Sequence, residues 1–144
     1  MAGHADAVAV VLDNEAVRAL ADPHHPKHRR ALSFVDVAQR RSRAGRPQVA
    51  VLVPVAVRVE AGWARGDARA ALVNRLQVRD VELRGERVDR AVRLARTAGA
   101  TAVDATVGEA ALAPGGPAVI LTSDVGDMQR LAAQGDHEIR VVRL

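Results

Sequence analysis

The sequence has no cysteine and no tyrosine, one phenylalanine, one tryptophan, and a single lysine, Lys27, among its 21 basic residues. Without cysteine there is no disulfide framework and no thiolate metal site, which agrees with a reducing, cytoplasmic setting. With so few aromatics, the core must be filled by Val, Ala and Leu. The longest apolar run, Val49 to Val57, stops at Arg58, well short of the ~20 residues that a membrane span needs. The start of the chain lacks a basic segment, and Asp6 and Asp13 bracket a stretch too short for a secretory signal. The expectation is a soluble protein of 144 residues, organised as one domain over 1–144. Charge is nearly balanced: the formal net value is only +4. The mass of arginine beside Ala and Val reflects a GC-rich genome, so arginine number alone assigns no role. A mildly positive surface is compatible with a polyanionic partner.

Hydrophobic periodicity then orders the chain. "AVAVVL" (7–12) reads as a buried strand closed by Asp13, and "NEAVRALA" as a short helix. "DPHHPKHRR" (22–30) is a proline-punctuated basic loop, favoured as solvated rather than as a site built on His24, His25 and His28. Arg29 to Arg43 is helical, with Ala31, Leu32, Val35 and Ala38 on one face, and "AGRP" ends it. A strand over Val49 to Val53 leads to Pro54 at the start of a helix carrying Glu60 and Trp63. "DARAALVNRL" continues helically, and "QVRDVEL" alternates as a strand. "GERVDRAVRLARTAG" is a helix with Val88, Ala91, Val92 and Ala95 inward and with Arg87, Arg90, Arg93 and Arg96 on a solvated face. A helix near Asp104 runs to Pro114-Gly115-Gly116. Then follow the strand "AVILT", a helix over "DMQRLAAQG" and a last strand, "HEIRVVRL". Strands alternating with helices predict a mainly parallel sheet covered on both faces.

Functional groups in such sheets gather beyond the carboxyl ends of the strands. Asp13 and Asp124 each follow an apolar strand, and Glu60 and Asp104 stand on helices that follow strand-like runs. Any one of these acids can be explained as a turn or cap residue, but Glu60 has mostly apolar sequence neighbours, and four such positions together point to a site. Clustered carboxylates repel one another unless a cation sits among them. An all-oxygen donor set suits Mg²⁺ or Mn²⁺, and such an ion can activate water against a phosphate. Acid inside with arginine outside fits a metal-dependent nuclease.

The ordered set "VVLDNEA", "VPVAVRVEAGW", "TAVDATVGEAAL" and "VILTSDVGDMQRLA" resembles the PIN domain, and in particular the VapC-type ribonuclease toxins of bacterial toxin–antitoxin pairs. The resemblance covers essentially the whole chain. It implies a PIN-like three-layer α/β/α sandwich and a Mg²⁺- or Mn²⁺-dependent endoribonuclease with an RNA substrate, a VapB-like antitoxin partner and a homodimeric state. Carried onto this sequence, it implies that Asp13, Glu60, Asp104 and Asp124 hold the metal. Asp127 is a further acid near it, and Thr122 orients a carboxylate or water. The first motif reads "DNE" where the family more often has Asp followed by two small residues. Asn14 keeps hydrogen-bonding capacity there, and Glu15 is a new charge.

Two other small α/β classes are excluded by residue type. A receiver domain needs a lysine near its last strand, and the lone Lys27 lies early; a haloacid-dehalogenase phosphatase needs Asp-x-Asp where this chain has Asp13-Asn14-Glu15. A non-catalytic PIN-like module that binds RNA or a protein is the remaining alternative. Trp63 is open to base stacking, partner packing or a core role.

Overall fold

In the computed structural model, strand β1 (Ala9–Leu12) is buried at all four positions and β4 (Ala118–Thr122) at all five. Strands apolar on both faces belong in the interior of a parallel sheet. Residues 7–43, 49–114, 116–136 and 138–144 are described. Asp6, the "AGRP" helix stop, Gly115 and His137 lie outside them. With β2 (Ala50–Pro54), β3 (Arg79–Val81) and β5 (Ile139–Arg143), the strands form one sheet in the order β3-β2-β1-β4-β5. Every neighbouring pair is parallel.

One helical layer comprises α1 (Asn14–Ala21), α2 (His28–Arg43), α3 (Val55–Ala61) and α4 (Ala71–Arg75), with α1 against β1 and β4 and α3 against β2. The other comprises α5 (Glu86–Ala98), α6 (Ala102–Leu112) and α7 (Val125–Ala132), with α6 across β1, β2 and β4. This is the expected three-layer α/β/α arrangement. The core is aliphatic: Leu12, Leu20, Ile120, Leu121, Met128 and Leu131 are among its largest fully buried side chains. β1 pairs with β2 on one side and β4 on the other, Leu12 lying beside Leu121. That reversal of strand order opens a crevice beyond the carboxyl ends of β1 and β4.

Three local expectations are corrected. Pro54 is the last residue of β2 and the cap of α3, with an extended ψ of 139°, rather than the first helical residue. α3 stops at Ala61 because Gly62 takes the left-handed conformation, φ 69°, where glycine lacks the Cβ clash. Trp63 therefore lies beyond the helix. It is buried, with the guanidiniums of Arg58 and Arg65 5.0 and 4.8 Å from its ring centroid. α5 is rotated from its expected stripe: Ala91 and Leu94 are buried, whereas Val88 and Val92 are 38% and 40% exposed.

The cause of that rotation is Glu109 on α6, only 1% exposed. A buried carboxylate requires a paired cation. Arg87 supplies one with both guanidinium arms, Nε at 2.7 Å and Nη2 at 3.0 Å, and Arg90 approaches at 3.4 Å. Arg87 thus leaves the solvated face assigned to it, and Arg90, still 44% exposed, reaches the same carboxylate, so that the two clamp α5 to α6. A second close contact sets α7. A Cβ on Gly108 would lie 3.1 Å from Leu131 Cβ, so the bare glycine lets α7 press against α6. Gly108 and Leu131 are each four residues, about one turn, beyond Asp104 and Asp127, so this contact fixes how near those two acids come.

Arg87→Met should leave Glu109 with Arg90 alone. The expected loss is roughly 2–3 kcal/mol, below the ~3–5 kcal/mol of a fully broken buried pair because one cation remains. Urea denaturation read by circular dichroism checks it; an unchanged midpoint would show that the pair contributes nothing net.

Candidate metal centre

The crevice is built from helix starts. Asp13 caps α1, its Oδ1 accepting the Ala16 N–H at 2.9 Å. Its Oδ2 accepts the hydroxyl of Thr122, at the end of the neighbouring strand. Thr122 is fully buried, and its Oγ1 in turn accepts the Asp124 N–H at 2.9 Å. One hydroxyl thereby ties the ends of β1 and β4 to the start of α7. Burial pushes the Asp13 carboxyl above its ordinary range; the Thr122 and Ala16 hydrogen bonds pull against it, and the charges of Asp104 and Glu15 add to the rise.

Asp124 caps α7, accepting the Asp127 N–H at 3.3 Å. Asp104 sits in the first turn of α6, its N–H donating to Thr101 Oγ1 at 3.1 Å. Asp104, Asp124 and Asp127 each present one carboxylate oxygen within 4.8 Å of the others. Burial, and then the charge of Asp124, push Asp104 upward; Thr101 pulls it down, and Asp127 and Glu60 raise it again. Asp127 also receives a guanidinium N–H of Arg130.

Of the acids singled out in the sequence, Asp104 and Asp124 meet directly, and Asp127 joins them. Asp13 lies close enough to feel Asp104 but has hydrogen bonds on both oxygens. Glu60 is exposed, as is Val59 beside it at 82%, so its apolar sequence neighbours do not bury it. The acid that apolar residues do enclose is Glu109. Glu60 is held at the rim instead: Asn14 Nδ2 donates to its Oε1 at 2.6 Å, and Arg18 Nε donates to Asn14 Oδ1 at 2.9 Å. The unusual Asn14 of the first motif thus has a partner in the second.

Glu15 faces the "DPHHPKHRR" segment. His25 Nε2 lies 3.0 Å from it and Lys27 Nζ 3.9 Å, while Lys27 Nζ donates to Ser123 Oγ at 3.0 Å. His28, the first residue of α2, places Nδ1 2.7 Å from the Ala19 carbonyl. The segment is therefore docked on α1 and Ser123 through His25, Lys27 and His28, while Asp22, Pro23, His24, Pro26, Arg29 and Arg30 stay exposed. The available signal was Glu15, an acid in the first turn of α1 next to a basic segment. The 22–25 turn, α1, Trp63 and α4 enclose a groove of about 870 Å³, with Val17, Ala21, Trp63 and Leu72 among its apolar lining and Arg18, Asp22, His25, Asp67 and Arg75 as its charged or titratable residues; none of the site acids lines it.

No protein-family model and no curated protein matches the sequence. Solved structures do match the fold, which is PIN-like. The chain is similar to VapBC2 from Rickettsia felis, solved bound to a DNA fragment from its promoter: TM-score 0.59, 10% identity, 93% of this chain and 98% of that one. It is also similar to PAE2754 from Pyrobaculum aerophilum: TM-score 0.51, 20% identity, 91% of each chain.

A raised carboxyl pKa in the fold means that ionisation opposes folding. The opposition is absent below the ordinary aspartate range and grows as pH rises through the raised value. Asp104→Asn should therefore raise the Tm of the metal-free protein at pH 7, with the advantage shrinking toward pH 4; calorimetry in EDTA across that range measures it. A lowered Tm at pH 7 would contradict the electrostatics. Thr122→Val should remove the donor to buried Asp13 and cost ~1–3 kcal/mol, read by the same denaturation.

Proposed function

We propose that the protein is a Mg²⁺- or Mn²⁺-dependent endoribonuclease, the toxin of a toxin–antitoxin pair acting in the cytoplasm as a homodimer. The observation that carries this reading is the meeting of Asp104, Asp124 and Asp127, from two helices, within 4.8 Å at the crevice. The donor set fits the ion: all ligand atoms are oxygen, as small hard cations require, and Asp104, raised first by burial and then by the charge of Asp124, would be relieved by a bound cation. Asp104, Asp124 and Asp127 would hold the ion, with Asp13 and Glu60 completing the acidic wall. When bound, the ion would stabilise charge on the phosphate under attack and make a water more nucleophilic.

The chain's own groups do the remainder. Thr122 locks the Asp13 carboxylate, and Asn14 holds Glu60 at the rim. Arg130 steadies Asp127. Arginines on the surrounding surface attract the RNA backbone that the acids alone would repel. The likeness to VapBC2 supports an antitoxin partner, and the groove between α1 and α4 offers it apolar anchor points next to Arg18 and Asp67. A segment that folds on binding would fill it.

RNA cleavage should stop with EDTA and return with excess Mg²⁺ or Mn²⁺. Asp124→Asn and Asp13→Asn should each lower turnover by orders of magnitude while leaving circular dichroism unchanged. Cleavage undiminished in EDTA would refute the metal mechanism. Near-wild-type turnover in both variants would reduce the acids to turn formers, and salt-sensitive RNA binding without any cleavage would favour the non-catalytic module. Expression in the host should arrest growth and Glu60→Gln should relieve it; unaffected growth with soluble wild-type protein would remove the toxin assignment.

A further inference from the structure

The single lysine of the chain is brought to the acidic cluster across 96 residues of sequence, Nζ donating to Ser123 Oγ at 3.0 Å. Ser123 stands between Thr122, which serves Asp13, and Asp124. The turn that presents Lys27 is held at several points. Asp22 Oδ1 accepts the His24 N–H at 2.9 Å, and the Asp22 carbonyl accepts the His25 N–H at 3.0 Å. The Lys27 N–H donates to His25 Nδ1 at 3.0 Å. That acceptor role leaves Nε2 as the ring's N–H donor, and it lies 3.0 Å from Glu15 Oε1. Pro23 and Pro26 fix two further φ angles. The lysine backbone is therefore preset toward the site.

Its charge is not used up there. An ammonium has three donors. One goes to Ser123; Glu15 Oε1 at 3.9 Å is an ion-pair neighbour beyond hydrogen-bond reach, and the side chain is 36% exposed. Arg130, by contrast, is committed to Asp127 and to the Ala98 carbonyl. A compact ammonium suits a single phosphate oxygen, where a guanidinium fork prefers two.

Resting on the nuclease reading, we propose that Lys27 is a substrate-binding residue that donates to a non-bridging oxygen of the RNA phosphate at the acidic cluster. Ser123 and Glu15 position its ammonium. The cluster repels a phosphodiester at the place where the reaction must occur, and a cation one residue from Asp124 offsets that repulsion locally.

The test uses the inactive Asp124→Asn protein and a fluorescein-labelled single-stranded RNA, with Kd measured against KCl. Adding Lys27→Met should weaken binding by about tenfold or more, as for one charge-assisted hydrogen bond. It should also make the slope of log Kd on log[KCl] shallower by about 0.7, the release from one single-strand phosphate. Lys27→Arg should keep the slope, and Ser123→Ala should weaken binding less than Lys27→Met with the slope retained. Unchanged affinity and slope in Lys27→Met, with a lowered Tm, would make Lys27 a structural tie only and overturn the proposal while leaving the nuclease reading intact. If the Asp124→Asn parent binds RNA without salt dependence, the basic-surface reading falls and the Lys27 assignment with it, while EDTA-sensitive cleavage by the wild-type protein separately decides the nuclease reading.

Discussion

Three carboxylates within 4.8 Å of one another repel, and the structure depends on how that repulsion is contained. The means is backbone polarity. Asp13 caps α1, Asp124 caps α7, and Asp104 and Asp127 stand in the first turns of α6 and α7. The free N–H groups and positive dipole ends of three helices thus converge on the same crevice. Parallel topology makes this possible, since β1 and β4 both deliver the chain to one edge and a helix begins directly after each. The compensation is incomplete at Asp13 and Asp104, whose carboxyls stay raised. At the proposed metal site, a bound cation would offset that deficit.

The opposite treatment is given to Glu109, five residues after Asp104 on the same helix. It is buried and fully paired by Arg87 and Arg90. One helix therefore carries an acid closed off by the fold and an acid left open to ligand. The closed one fixes the rotation of α5 on α6. The open one is placed by the glycine-mediated approach of α7, which brings Asp127 and Asp124 to Asp104. A rim of hydrogen-bonded side chains, Asn14 on Glu60 and Arg130 on Asp127, limits how the outer acids can turn.

Much was legible in the sequence because its signals are local. Consecutive apolar residues at 9–12 and 118–122 announce buried strands, and the left-handed glycine at 99 ends α5 where the pattern stops. Asp13, Asp104 and Asp124 were recognisable from their place just after strands or at helix starts, which is a statement about chain order alone. The ordered motifs carried the PIN-like fold, although no family model matches.

The rest was decided by contacts between residues far apart in the chain. Glu60 has mostly apolar sequence neighbours and is nonetheless exposed, because α3 is a short helix with Val57 its buried residue. Val88 and Val92 look inward and face outward, because Glu109 demands a guanidinium and turns α5 to obtain it. The 22–28 segment looks like a solvated basic loop and docks on the site, because Glu15 and Ser123 lie where His25 and Lys27 can reach them. Periodicity and capping, which act over one turn, were settled by the sequence. Rotation, burial of charge and the partners of each acid were settled only in the tertiary structure, since electrostatic pairing and close packing depend on distances in space that sequence separation does not set.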